Sequence, residues 1–244
     1  LEEALADWLD REQVLLFPSG FQANIAAVNI LAGRNTTVFA DRLSHFSLLA
    51  GIRSSGSTLQ RFSHNDLADL EQRLSSFRAN SNTKTPLVIT ESLFSMEGTT
   101  PDILGMVKIC ERYGARLMVD EAHALGVMGK QGKGLCHGLT HQITMVSGTF
   151  GKAFGSGGAF LATDSTTSEN LLQNSGAFKY TTALAPPLAA AALASLKLIK
   201  SHPEWGANLM NEAQKWRKNL QIQGWSSAPG NGPILSLVIG PDQQ

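Results

Sequence analysis

Short runs of β-branched and apolar residues alternate along this chain with longer stretches whose apolar residues recur at helical spacing, and that alternation leaves few architectures open. Val14 to Phe17, Thr37 to Ala40, Thr58 to Phe62, Leu87 to Thr90, Arg116 to Val119, Ile143 to Ser147 and Ala159 to Ala162 read as strands. Gln22 to Leu31, Phe46 to Ser54, Leu67 to Phe77, Ile103 to Tyr113 and Thr166 to Asn174 read as helices. Strands that alternate with helices predict a three-layer α/β fold, a mostly parallel sheet covered on both faces. In such a fold ligands gather at the carboxyl ends of the strands, so the residues that follow each strand carry the functional information.

The stretch Ser147 to Gly158 is the most informative of these. It places Lys152 among glycines and hydroxyls directly after an apolar run. A phosphate-cradling P-loop would need glycine at Val146 and Ser or Thr at Ala153, and a dinucleotide fingerprint begun at Gly155 would need glycine at Phe160; both fail. A lysine at a strand end, with flexible backbone that lets a bulky group approach, remains. Burial there would lower the amine's pKa and make it a nucleophile for carbonyls and afterwards a base. A lone lysine in a glycine-rich turn is more often an exposed surface residue, so other stretches must argue for chemistry.

They do so in combination. Pro18-Ser19-Gly20-Phe21 opens straight into a helix, whose free N–H groups make a phosphate site, or else Ser19 is an ordinary cap. Asp41-Arg42-Leu43-Ser44-His45 follows the second strand and puts an imidazole where it can stack on a flat ring, although a local hydrogen bond is its commoner use. His64 reads as the approach to a helix capped by Asn65 or Asp66, without chemistry. Glu91 to Gly98 offers hydroxyls and carboxylates after the fourth strand. Asp120 ends the fifth strand, and a buried carboxylate there calls for a cationic partner; His123 lies three residues on. An amine, an acid, a phosphate cradle and a ring-sized histidine are together what pyridoxal phosphate requires.

With 20 basic and 20 acidic side chains the net charge is zero, which excludes nucleic-acid or membrane-surface binding through bulk charge. The apolar stretch Leu184 to Ile199 contains Pro186-Pro187 and reads as a buried helix with prolines in its first turn rather than a membrane span. Cys110 and Cys136 lack metal-type spacing, so no metal is expected and a reducing, cytoplasmic compartment is favoured. The opening Leu1 to Leu9, already helical and uncapped, and the closing Ile234 to Ile239, a plausible unpaired strand, read as parts of a longer protein.

Ser19-Gly20-Phe21, Asp41 to His45, Phe94 to Gly98, Val119 to His123 and Thr149 to Lys152, in this order and spacing, resemble the α-oxoamine synthases, pyridoxal-phosphate enzymes of the aspartate-aminotransferase fold (fold type I). The resemblance runs from Leu15 to about Pro187 and implies that residues 1–200 are the cofactor-binding large domain and 201–244 the start of a small C-terminal domain. It implies that Lys152 bonds the cofactor covalently and then serves as general base and acid, with Asp120 on the ring nitrogen and His45 stacked on the ring. His123 and Ser95 would bond the phenolic oxygen, and Thr149 with the N–H groups of Gly20 and Phe21 would bind phosphate. Thr182, in Tyr180-Thr181-Thr182, resembles a segment that reaches the phosphate of a neighbouring subunit, which implies a homodimer. The motifs lean toward members that join L-alanine to a pimeloyl thioester, with loss of carbon dioxide, in biotin synthesis. Sister enzymes that use glycine or serine are the alternative, as is a non-catalytic dimerisation subunit, from which the lysine would be expected to be missing.

Overall fold

The computed structural model of the chain describes residues 1–80, 84–226 and 228–240. In chain order it forms α1 (Glu2–Leu9), β1 (Gln13–Phe17), α2 (Gly20–Leu31), β2 (Thr37–Asp41), α3 (Phe46–Ser55), β3 (Thr58–Phe62), α4 (Leu67–Asn80) and β4 (Leu87–Glu91). It continues with α5 (Ile103–Arg112), β5 (Arg116–Asp120), a short 3-10 turn at Lys130–Gly132, β6 (Met145–Thr149) and β7 (Ala159–Thr163). The last elements are α6 (Ser165–Asn174), α7 (Gly176–Lys179), α8 (Pro186–Ser201) and α9 (Glu204–Ile222). The strands make one 7-stranded sheet in the order β1-β7-β6-β5-β4-β2-β3. Neighbours from β3 to β6 pair in parallel, and β7 runs antiparallel to both β6 and β1, so the mostly parallel sheet expected from the sequence is present.

Successive strand side chains point to opposite faces, and here both faces are buried. Phe39, Val88, Leu117, Val119, Val146 and Phe160 join a core with α1, α4, α5 and α8. Their alternates Val38, Ala40, Ile89, Met118, Met145 and Leu161 join a second core with α2, α3 and α6. This period of two decides where the site forms. Glu91, Asp120 and Thr149, the last residues of β4, β5 and β6, share the parity of Ile89, Met118 and Met145 and so fall on the α2/α3 face.

The ring of Phe160 occupies the space over Gly148, its antiparallel partner on β6, where a Cβ would lie 2.4 Å from Phe160 Cζ and 2.6 Å from Leu125 Cδ1. Both neighbours are fully buried. Gly148→Ala is therefore expected to destabilise the protein by about 1–3 kcal/mol through overpacking. Chemical denaturation checks this, and an unchanged midpoint would show that the ring moves freely.

Two expectations need correction. α8 does begin with its prolines in the first turn, but it is not a buried helix: only Ala192, Leu196 and Ile199 are buried, on one stripe, and Leu188 and Leu198 are exposed. Ile234 to Ile239 forms no strand, since no sheet edge is paired with it; Val238 and Ile239 are exposed instead. Pro241 to Gln244 lie outside the described residues. No described helix is long and apolar enough to cross a membrane.

Candidate active site

At the carboxyl ends of β4, β5 and β6 lies a cavity of about 410 Å³, a size that suits a small cofactor. Gly20, Phe21 and His45 line it from the α2 and α3 side. Ser95, Asp120, His123, Thr149 and Lys152 line it from the strand ends and the loops that follow them. Thr182 is the one singled-out residue that does not line it; it lies exposed in the segment before α8, next to Tyr180, which is 88% exposed. Lys152 is exposed, not buried as the sequence led us to expect.

α2 begins at the wall of this cavity. Ser19 is its N-cap, with Oγ accepting from the Gln22 N–H at 3.2 Å and its carbonyl accepting from the Ala23 N–H at 3.0 Å. The Gly20 and Phe21 N–H groups, in the first turn, have no helical acceptor. A Cβ on Gly20 would stand 3.8 Å from Thr149 Oγ1, so the helix start and the Thr149 hydroxyl face one space. Thr149 Oγ1 is oriented by donating to the Gly158 carbonyl at 3.1 Å and accepting from the Gly151 N–H at 3.2 Å. Free N–H groups and the positive end of a helix dipole suit a phosphate, and the Thr149 hydroxyl can serve it by turning its one hydrogen away from the Gly158 carbonyl.

Asp120 is 7% exposed, and the expected cationic side chain is absent from the described ion pairs. Its Oδ1 accepts from the Ala122 N–H at 2.9 Å and its Oδ2 from Asn24 Nδ2 at 2.7 Å, both neutral donors. An anionic oxygen pair on a cavity wall, without a positive side chain of its own, suits a protonated ring nitrogen. Asn24 also donates to Ser47 Oγ at 2.9 Å, and that hydroxyl meets His45 Nδ1 at 2.7 Å. His45 is the N-cap of α3, where Nδ1 accepts from the Ser47 N–H at 3.2 Å, so the local hydrogen bond and the cavity position coexist in one ring. Asn24 Oδ1 is buried without a partner, an exception that costs about 1–3 kcal/mol.

Burial, followed by the nearby Asp120 charge, pushes the Glu91 carboxyl up to about 8, although its bond from the His45 N–H at 2.6 Å opposes this. Burial likewise pushes Glu121 up to about 7. Burial lowers the His123 pKa and the Lys152 charge lowers it further, which favours a neutral imidazole beside the amine. A carboxyl whose pKa is raised by folding keeps its proton where the unfolded chain has lost it. The stability it confers is complete below its ordinary value of 4.5 and is lost as pH rises toward about 8. Glu91→Gln is therefore expected to flatten the decline in unfolding free energy between about pH 5 and pH 8, by about 1–3 kcal/mol. Denaturation at both pH values checks this; equal declines in both proteins would contradict it.

Sequence reasoning missed Asn24 and Ser47, and it treated Glu91 only as one of several loop carboxylates. It also gave His64 no role beyond the approach to α4. Asp66 does cap that helix, accepting from the Asp69 N–H at 3.0 Å. But His64 in addition joins Asp41 Oδ1 at 2.9 Å to Thr99 Oγ1 at 2.7 Å, tying the strand end before His45 to the loop that carries Ser95. The signal for this strut was available: Asp41 ends an apolar strand, as Asp120 does, and needed a partner.

The whole chain, residues 1–244, matches the family model of class I and II aminotransferases. An 8-amino-7-oxononanoate synthase from Methylococcus capsulatus is 40% identical over 243 residues, covering 98% of this chain and 62% of that protein. Serine palmitoyltransferase from S. paucimobilis, solved as a lysine-to-alanine variant with PLP and myriocin bound, superposes with a TM-score of 0.93 at 28% identity, over 99% of this chain and 63% of that one. The 8-amino-7-oxononanoate synthase structure from Francisella tularensis gives 0.78 at 29% identity, over 96% and 67%. The chain spans about three-fifths of the length of the curated relatives it matches.

Proposed function

The chain belongs to the class I and II aminotransferase family, within its α-oxoamine synthase branch, and from that premise we propose that the whole protein is a pyridoxal-phosphate enzyme with 8-amino-7-oxononanoate synthase activity. It would condense L-alanine with a pimeloyl thioester, release the thiol and carbon dioxide, and serve biotin synthesis as a cytoplasmic homodimer. Residues 1–200 would be its cofactor-binding domain and 201–244 the start of a smaller one. The observation that carries this reading is that Lys152, Asp120 and the Gly20/Thr149 phosphate cradle open onto one cavity.

Bound there, pyridoxal phosphate supplies an aldehyde that takes up amines and a protonated ring that withdraws electrons from the bonds beside the captured nitrogen. Lys152 Nζ would hold the cofactor covalently, then take the proton from the substrate α-carbon and later return one. Asp120 would accept from the ring nitrogen and keep it protonated. His45 would cover one ring face, and His123 and Ser95 would bond the phenolic oxygen. Thr149 Oγ1 and the Gly20 and Phe21 N–H groups would bind the phosphate, joined by Thr182 of a second copy. The exposure of Thr182 and Tyr180 supports that reach, and a second copy closing over the site would also shield the exposed Lys152 amine.

The serine palmitoyltransferase structure superposes better than the oxononanoate synthase structure, which favours a sister activity as the second reading. Fold is common to all these enzymes, whereas identity is higher to the curated oxononanoate synthases, so identity decides. Product analysis of the purified whole protein tests the choice. L-alanine with a pimeloyl thioester is expected to give 8-amino-7-oxononanoate. Faster condensation of glycine or serine with an acetyl, succinyl or palmitoyl thioester would replace the assignment.

A further inference from the structure

Glu91 stands on the cavity wall with one carboxyl oxygen used and the other free. It ends β4 in register with Asp120, the last residue of β5, and both side chains fall on the α2/α3 face. Glu91 is only 4% exposed, yet it lines the cavity. Its Oε1 accepts from the His45 N–H at 2.6 Å. Its Oε2 has no partner among the described residues and is not one of the sealed, unpartnered atoms, so it is left open toward the cavity.

Two carboxyls side by side, with no cation paired to either among the described ion pairs, do not both keep a charge. Asp120 accepts two hydrogen bonds, from the Ala122 N–H and Asn24 Nδ2, whereas Glu91 accepts one. Asp120 is the better-served anion, so the proton of the pair falls to Glu91. Of the two oxygens of a neutral carboxyl the carbonyl oxygen is the better acceptor, so Oε1 keeps that role toward His45 and the hydrogen resides on Oε2. Burial first and the Asp120 charge second push this carboxyl up to about 8, so the hydrogen is present at neutral pH and is lost above that value.

We propose that Glu91 serves the site as a neutral acid: Oε1 braces the backbone at His45, and the Oε2 hydrogen is donated to an anionic oxygen of the molecule bound in the cavity. A carboxylate in that place would repel such an oxygen. The two neighbours thus face opposite charges, Asp120 a positive group and Glu91 a negative one. Pyridoxal phosphate, whose ring carries both a nitrogen and a phenolic oxygen, presents that combination. The identity of the occupant rests on the pyridoxal-phosphate reading above; the proton on Glu91 does not.

The test compares the whole protein as wild type, Glu91→Gln and Glu91→Leu. Glutamine keeps an acceptor for the His45 N–H and turns an N–H toward the cavity; leucine offers neither. In the cofactor-free protein, the infrared spectrum of wild type minus Glu91→Gln is expected to show a protonated carboxyl at pH 7 that titrates away at about pH 8. Glu121, whose carboxyl is pushed up to about 7, is common to both proteins and cancels. Titration with pyridoxal phosphate at pH 7, followed by visible absorption, is expected to give a Kd for Glu91→Gln within about twofold of wild type, and one about tenfold higher for Glu91→Leu. At pH 9 wild type is expected to bind about tenfold more weakly than Glu91→Gln, because its donor has become an anion. Asp120, Asp41 and Glu97 face Glu91, and Lys152, His45 and His123 share its cavity; all are present in both proteins, so the ratio of the two Kd values reads Glu91. Should Glu91→Leu fail to fold, the glutamine comparison decides alone. No protonated carboxyl in the difference spectrum at pH 7, a Kd raised about tenfold by Glu91→Gln at that pH, or equal pH dependence in the two proteins overturns the proposal. If the carboxyl is seen but wild type binds no pyridoxal phosphate, the functional reading fails, and the donor role falls with it.

Discussion

Lys152→Ala in the whole protein is expected to slow formation of 8-amino-7-oxononanoate by about ten-thousand-fold or more and to leave pyridoxal phosphate removable by gel filtration. The turn that follows β6 brings this amine to the same cavity as Asp120, Gly20 and Thr149, and the proposed function gives it two duties there. It would bind the cofactor covalently, an intramolecular reaction with a large effective concentration, and it would carry the proton at the substrate α-carbon, worth about 10² to 10⁴ in rate by itself. Alanine does neither. An exposed lysine with no chemistry would leave turnover unchanged when removed, and that result would end the enzymatic reading. Added small primary amines should restore a fraction of the activity to the variant, since they can replace the base but not its placement.

Asp120→Asn is expected to lower kcat by at least about 100-fold, with a smaller effect on the KM for L-alanine. This carboxylate would oppose the charge of a protonated ring nitrogen, and a hydrogen bond between charged partners is worth about 1.5–3 kcal/mol before its effect on the ring is counted. The amide also meets Asn24 badly, because Asn24 Nδ2 donates to Asp120 Oδ2 and would face an amide that can turn its own donors inward. Asp120→Glu keeps the charge but displaces it and should fall between the two. Steady-state kinetics checks the series; equal kcat for Asp120→Asn and wild type would remove the acid from the account.

The strands and most of the site were legible in the sequence for one physical reason. Runs such as Leu87 to Ile89 and Leu117 to Val119 are buried on both faces, so they read as continuous apolar segments, and the strand ends within two residues of each run. Asp120 was found that way, whereas Thr149 was singled out by the resemblance of Thr149-Phe150-Gly151-Lys152 to the family motif. Asn24 was not, because its partner Asp120 lies 96 residues away and nothing local distinguishes it from an exposed helical asparagine. Ser47, 23 residues from Asn24, was hidden for the same reason. The apolar composition of Leu184 to Ile199 overstated its burial: Ala192, Leu196 and Ile199 form one stripe, and composition does not say which side of a helix meets the sheet. Lys152 was found by its neighbours, while its exposure follows from the turn geometry beyond β6, which no spacing rule conveys.

Borohydride reduction of the whole protein loaded with pyridoxal phosphate, followed by proteolysis and mass spectrometry, asks directly which amine the cofactor holds. A single pyridoxyl modification is predicted, on the peptide containing Lys152. Modification spread over other lysines, or a Lys152 peptide that stays unmodified while the protein retains cofactor, would contradict the site.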